Sequence, residues 1–396
     1  MARPLQFLTA GESHGPGLIA LVDGLPAGVP VAAEAINADL ARRQAGYGRG
    51  ERQAIERDEA TLLSGVRHGL TVGSPLALLI RNRDWENWRE EMDPAPRPEG
   101  WESGRRVRVP RPGHADLAGG AKYGHRDLRN CLERASARET AARVAAGAVA
   151  KALLAPFQVE VHSEVLQIGP VKAAAPEPRA SGWEAVEASE VRCRSAEAAE
   201  AMKVAIEQAR EAGDSLGGVF RVVALGVPPG LGSFAQWDRR LDGQLAQALM
   251  SIPAVKGVEI GLGWDVAGQP GSQVHDEITY DRSAGSEIAW AFRRSSNHAG
   301  GLEGGVTNGE PLVLAAALKP IPTLLRPLRS VDLDTKEPTE AHYERSDVCV
   351  VPAAAVVGEA MVAWVLAAAM REKLGGDCLE DMRTAFDHYR ARLRQY

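Results

Sequence analysis

The chain has 396 residues, of which 45% are hydrophobic and 25% charged. Those fractions exclude a disordered or fibrous polypeptide and supply enough apolar surface for a sizeable core. The 46 Lys and Arg against 52 Asp and Glu leave a net charge of −6, which disfavours a generally basic nucleic-acid binder.

Reading from the N-terminus, Gly11-Glu12-Ser13-His14-Gly15 is a tight loop with a histidine inside it. The loop predicts a ring presented to a cavity, as a catalytic group or as a polar surface turn. Gly15–Ala20 matches G-x-G-x-x-A, but the residues that follow read as a strand and a turn. A dinucleotide-binding fingerprint needs a helix there, so that reading fails. A helix-like stretch at 33–43 leads into Arg42, Arg43, Arg49, Arg52 and Arg57, set around Gly46-Tyr47-Gly48-Arg49-Gly50. Guanidinium groups beside glycine-rich backbone can grip phosphate or carboxylate. The Pro-rich stretch 93–113 predicts a long ordered loop that carries Arg105, Arg106, Arg108 and Arg111. It ends in Arg111-Pro112-Gly113-His114-Ala115-Asp116, a second histidine in a glycine-bounded loop with a carboxylate two residues on.

Ser136 and Glu139 have capping-box spacing, and apolar positions keep helical period from Ala141 to Leu153. Arg134 and Ser136 are thereby expected at a helix N-terminus, which favours anions. A strand is expected within 160–169, an amphipathic helix at 195–212, and a buried apolar helix at 352–375, opened by Pro352 and closed by Gly375-Gly376. Five glycines within 297–309 permit close backbone approach to a ligand.

Two segment pairs repeat in the same order. Gly17–Val29 and Gly218–Leu231 each combine an apolar strand with a G-[LV]-P-x-G-[LV] turn; Gly69–Leu78 and Gly305–Leu314 share G-x-T-x-G-x-P-L-x-L. The expectation is one domain spanning 1–396, with duplicated halves at roughly 1–150 and 210–330 and an insertion near 264–300. The fold class is α/β of the α+β type, with turn-linked strands that favour antiparallel sheets. Cys131, Cys193, Cys349 and Cys378 form no CxxC pair or zinc-ligand spacing, so no disulfide framework or metal is expected, and a reducing cytoplasm is the natural compartment. The N-terminal stretch lacks the apolar core of a secretion signal, and 353–370 reads as a core helix rather than a membrane span.

The segments GESHG (11–15), RRQAGYGRG (42–50), RPGHAD (111–116), KYG (122–124), ERASARETAARV (133–144), GDSLGG (213–218), GGLEGGVTNG (300–309) and RSDVC (345–349) resemble the chorismate synthase family. The resemblance runs from near residue 5 to about 375. It implies a lyase that removes phosphate and a hydrogen from 5-enolpyruvylshikimate 3-phosphate by anti-1,4 elimination, with reduced FMN as cofactor. It also implies a β-α-β sandwich with internal pseudo-twofold symmetry, and a homotetramer. By the same resemblance His14 protonates the leaving phosphate, His114 acts on the reduced flavin, and Asp347 assists proton removal through the flavin's nitrogen five. Arg43 and Arg49 fall to substrate phosphate or NADP. Arg134, Ala135, Ser136, Pro253, Ala254, Gly304, Lys319, Pro320, Ile321, Pro322, Thr323 and Arg345 fall to FMN. Without an evident reductase domain, the expected electron source is an external flavin reductase. Two rival readings are an enzyme that reduces its own flavin with NADPH and a non-catalytic phosphate or RNA binder. Aromatics are 5% of the chain and do not interleave with the basic runs, which disfavours base stacking.

Overall fold

A computed structural model describes residues 5–50, 57–179, 181–282, 290–344 and 346–396. Strands β1 (Gln6–Ala10), β2 (Gly17–Asp23), β3 (Ala60–Ser64) and β4 (Leu76–Arg81) form a sheet in the order β1-β2-β4-β3, and every ladder is antiparallel. Helix α1 (Ala33–Gln44) joins β2 to β3. Alternation sets the faces: Leu18, Ala20 and Val22 of β2 point into the core, while Ile19 and Leu21 point away.

Helices α2 (Asp116–Tyr123), α3 (Arg129–Ala135) and α4 (Thr140–Leu154) follow. The five-stranded second sheet is built from β5 (Glu160–Ile168), β6 (Gly218–Leu225), β7 (Val255–Ile260) and β8 (Leu312–Leu318), in the order β5-β6-β8-β7, with the two-residue strand Val171–Lys172 on the outer edge of β5, again antiparallel. Helix α5 (Ala196–Ala212) lies between β5 and β6 in sequence, and α6 (Leu241–Met250) joins β6 to β7. The chain closes with α7 (Val351–Leu374) and α8 (Leu379–Arg394).

The core sits in a helical layer between the sheets. Helix α4 packs on β2 and α7 on β5 and β6, and the two helices pack on each other. Their approach depends on small residues: a Cβ on Gly147 would lie 2.3 Å from that of Ala360. Helix α7 is long and apolar enough to span a bilayer, yet it is buried nearly all round within the fold. Its lack of a polar stripe is that of a core helix.

The two sheets share a strand order when β1, β2, α1, β3 and β4 are set against β5, β6, α6, β7 and β8. The likeness extends to single bonds. Thr71 Oγ1 donates to the Pro26 carbonyl at 2.6 Å and accepts from Val29 N–H at 2.9 Å. Thr307 Oγ1 donates to the Pro228 carbonyl at 2.7 Å and accepts from Leu231 N–H at 2.8 Å.

Two local expectations need correction. Ser136 Oγ accepts from Arg138 N–H, but Glu139 turns to Thr9 and Arg143, so no capping box forms and a 3-10 turn precedes α4. Arg134 ends α3 rather than opening a helix. Residues 116–123 form α2, and Gly119 and Gly120 let it close on α3: a Cβ at Gly120 would lie 2.6 Å from Leu128 Cδ2.

Candidate active site

His14 sits in the loop between β1 and β2. Gly11 makes that loop possible: its φ is +102°, and a Cβ there would meet the Gly17 carbonyl oxygen at 2.2 Å. The His14 side chain is 9% exposed. Trp88 stacks on it with centroids 3.8 Å apart and 24° between planes. Nδ1 lies 2.8 Å from Glu133 Oε1, and the His14 backbone N–H donates to Glu133 Oε2 at 2.8 Å. Arg129 donates to Glu133 at 3.1 Å and to Glu344 at 3.0 Å. Burial pushes the Glu133 carboxyl up, but the bonds from His14 and the Arg129 charge outweigh it and hold the group below the usual carboxylate range. Glu344 is likewise raised by burial, then brought down to about 2 by His342 and Arg129.

The second histidine lies just before α2. His114 Nδ1 is 2.5 Å from Asp116 Oδ1. Arg111 donates through Nε to Asp116 Oδ2 at 2.8 Å and through NH1 to Thr323 Oγ1 at 3.1 Å. Asp116 is fully buried; burial pushes its carboxyl up, yet His114 and Arg111 hold it well below the usual range. Lys319 Nζ donates to the Gly113 carbonyl, and burial together with the Lys256 charge lowers its pKa.

The arginines divide into two groups. Arg43 donates to Thr140 Oγ1 at 2.9 Å, to the Ala137 carbonyl at 3.0 Å and to Asp58 at 3.3 Å. Burial pulls its guanidinium down to about 10 despite Asp58, so it stays charged at neutral pH. Arg49 pairs with Asp347 at 3.1 Å, and Gly50 N–H donates to the same carboxylate at 2.6 Å. Arg49 Nε is buried with no hydrogen-bond partner among the described residues. Arg42, read with them as an anion ligand, is instead used internally by Asp39, Glu187 and Glu359. Arg52 lies outside the described residues.

Hydrogen bonds tie these loops together. Asn82 donates to the Gly15 carbonyl at 2.6 Å and accepts from Arg138, which also pairs with Asp58. Ser136 Oγ is 3.2 Å from Ser13 Oγ, and Arg134 donates to the carbonyls of Thr9 and Gly11. Val348 N–H donates to the Gly48 carbonyl, Leu216 N–H to the Val348 carbonyl and Ser215 Oγ to the Ile321 carbonyl. The result is a basic region with two imidazoles and the carboxylate of Asp347, suited to a multiply anionic substrate and to proton transfer.

Residues 5–371 match the family model of chorismate synthase. The chain belongs to the chorismate synthase family. The chorismate synthase of Geobacter sulfurreducens is 59% identical over 398 residues, covering 99% of this chain and 100% of that protein. That of Moorella thermoacetica is 60% identical over 391 residues, with 99% and 100% covered. A crystal structure of chorismate synthase superposes with a TM-score of 0.79 at 47% identity, covering both chains completely.

Seen as a chorismate synthase site, most of the residues implied by sequence come together. Arg134, Ala135 and Ser136 adjoin the His14 loop, and Pro320, Ile321, Pro322 and Thr323 follow Lys319 beside His114. Pro253 and Ala254 join them through Lys319 N–H, which donates to the Ala254 carbonyl at 3.0 Å. Gly304 stands on a separate hairpin. Its hairpin docks at the start of α6, where Leu241 N–H donates to the Gly305 carbonyl, whereas Pro253 and Ala254 follow the other end of that helix. Ten residues of helix separate the two by roughly 15 Å. Arg345 lies outside the described residues. Trp88, Asn82 and Asp58 carry no motif, and Glu133, which opens the segment 133–144, is given no role by it; their parts emerge only from the structure.

Proposed function

We propose that this chain converts 5-enolpyruvylshikimate 3-phosphate to chorismate, as a carbon–oxygen lyase dependent on reduced FMN. The observation that carries this reading is the convergence of the His14, His114 and Asp347 loops on buried, charged arginines, in a chain that matches the family along almost its whole length. Arg43 and Arg49 neutralise substrate phosphate and carboxylate. His14 gives a proton to the departing phosphate oxygen, His114 holds a proton next to segment 319–323, and Asp347 accepts one at its carboxylate.

The donor set fits a phosphate-bearing flavin. Arg134 is exposed, the Lys319 amine reaches the Gly113 carbonyl, and Ser136 and Thr323 add hydroxyls, whereas Pro322 offers neither hydroxyl nor N–H. Reduced FMN supplies electron density while phosphate leaves, chemistry that side chains cannot provide. NADPH reduction would need a nicotinamide site; G-x-G-x-x-A at 15–20 falls at the start of a strand, which supports an external reductase. The family resemblance implies a homotetramer in the cytoplasm, and the outer face of the first sheet supports association with further copies. Leu8 is 70% and Leu63 57% exposed, and with Ile19 and Leu21 they form an apolar surface on a sheet face that water normally solvates with polar groups. Sedimentation equilibrium is expected to give the mass of four chains; a monomer would reject that assembly. The shared strand order and the Thr71 and Thr307 bonds support descent of both halves from one unit.

The deciding assay is anaerobic. Dithionite-reduced FMN and 5-enolpyruvylshikimate 3-phosphate are expected to yield chorismate and phosphate in equal amounts with no net flavin oxidation. Binding of both ligands without either product would overturn the reaction assigned here.

A further inference from the structure

Glu133 makes an unusual set of contacts for a buried carboxylate. It touches one residue, His14, at both the main chain and the ring. Oε2 accepts the His14 backbone N–H at 2.8 Å, and the two carboxylate oxygens lie 2.8 and 3.1 Å from ring Nδ1. The Glu133 carbonyl also accepts Ser13 N–H at 3.1 Å, so one residue holds two consecutive N–H groups of the loop as well as the ring. Glu133 is ionised at neutral pH, and an ionised carboxylate only accepts hydrogen bonds. Nδ1 must therefore carry the proton. Nε2 makes no hydrogen bond among the described residues. Trp88, itself held by a 2.9 Å bond from Nε1 to Asp84, fixes the plane of the imidazole.

We propose that Glu133 is a positioning residue for the elimination: it locks His14 as the Nδ1–H tautomer and aims Nε2 at the departing phosphate oxygen. This rests on His14 being the group that protonates the phosphate. In the reacting form the ring is the imidazolium, with Nδ1–H held by Glu133 and a second proton on Nε2. The Nε2 proton passes to a phosphate oxygen as the C–O bond breaks, the ring is left as the neutral Nδ1–H tautomer, and solvent returns the proton to Nε2 before the next turnover. The arrangement is that of a carboxylate orienting a catalytic histidine, reached here on an unrelated scaffold. Arg129 supports it by donating to the same carboxylate while its other arm is taken by Glu344.

Glu133→Gln tests the idea because it keeps size and removes one acceptor. The rigid His14 backbone N–H captures the amide oxygen, which turns the amide NH₂ toward Nδ1 and favours the opposite tautomer. The expected results are a fall in kcat of about 10²–10⁴-fold with little change in KM, and a change in the His14 ¹⁵N shifts from protonated Nδ1 to protonated Nε2. Glu133→Asp retains the acceptor and is expected to recover the Nδ1–H signature and part of kcat. The double variant His14→Asn/Glu133→Gln is expected to be no slower than His14→Asn. The wild-type ¹⁵N spectrum is a test that needs no variant, since an Nε2–H tautomer there overturns the proposal. Wild-type kcat in Glu133→Gln beside a slow His14→Asn overturns Glu133's role alone. Wild-type turnover in His14→Asn overturns the role of His14 on which it rests.

Discussion

Turnover is expected to fall by about 10²–10⁴-fold when His114 is replaced by alanine, the range for losing a general acid or base. The fold should survive the change. The His114 side chain is 15% exposed, at the end of a loop, and truncating it leaves no large void. Asp116 would not be stranded, because Arg111 still donates to it from Nε, NH2 and the backbone N–H. Arg111 also keeps its bond to Thr323, so segment 319–323 should stay in place. The effect should therefore appear in kcat with pre-reduced FMN, while flavin binding changes little. Chorismate formation within a fewfold of wild type would remove His114 from the reaction.

The largest stability loss is expected at Glu359. Its side chain is 2% exposed in the middle of α7, where every neighbouring turn is apolar. It accepts from Arg42 at 2.8 and 2.9 Å and from Ser163 Oγ at 2.9 Å, and it pairs with Lys151. Glu359→Ala leaves three cations, Arg42, Lys151 and the more distant Arg192, and a hydroxyl facing an apolar gap, a change that costs about 3–5 kcal/mol for a buried pair. Asp39 and Glu187 still hold Arg42, and Asp39 still holds Lys151, which places the loss near the lower end. The pH dependence has a definite sign. Burial pushes the Glu359 carboxyl up, but Lys151, Arg42 and Arg192 hold it far below its unfolded value of about 4.3. Its contribution is fully present above that unfolded value and is lost as pH falls through the folded one. Urea midpoints of wild type and Glu359→Ala should differ by a constant amount from pH 8 to about 5 and converge in stronger acid. Equal midpoints at pH 7 would show that the network contributes nothing net.

Much of this protein can be read from its residues in order. The β2 strand, the amphipathic α5 and the apolar α7 have periodicities that local chemistry sets, and each lies within a few residues of its expected place. The histidine loops are legible because glycine marks where the chain turns sharply, and family membership follows from motifs spread over nearly the whole chain. Helix α8, acidic in its first turn and basic in its last, lies beyond the last family-like segment and carries no motif. What tertiary structure alone decided are the partners. His14 and Glu133 are 119 residues apart, Arg42 and Glu359 are 317 apart, and nothing in either local sequence names the other. Packing turned Arg42 from an anion ligand into a core counter-ion and made a helix of the glycine-rich 116–123 segment. It also set Gly304 at the far end of α6 from Ala254. Periodicity and turn chemistry act over one or two turns of chain, whereas desolvation and charge pairing act through space. The site is therefore written in the sequence as residue types and completed by the fold as contacts.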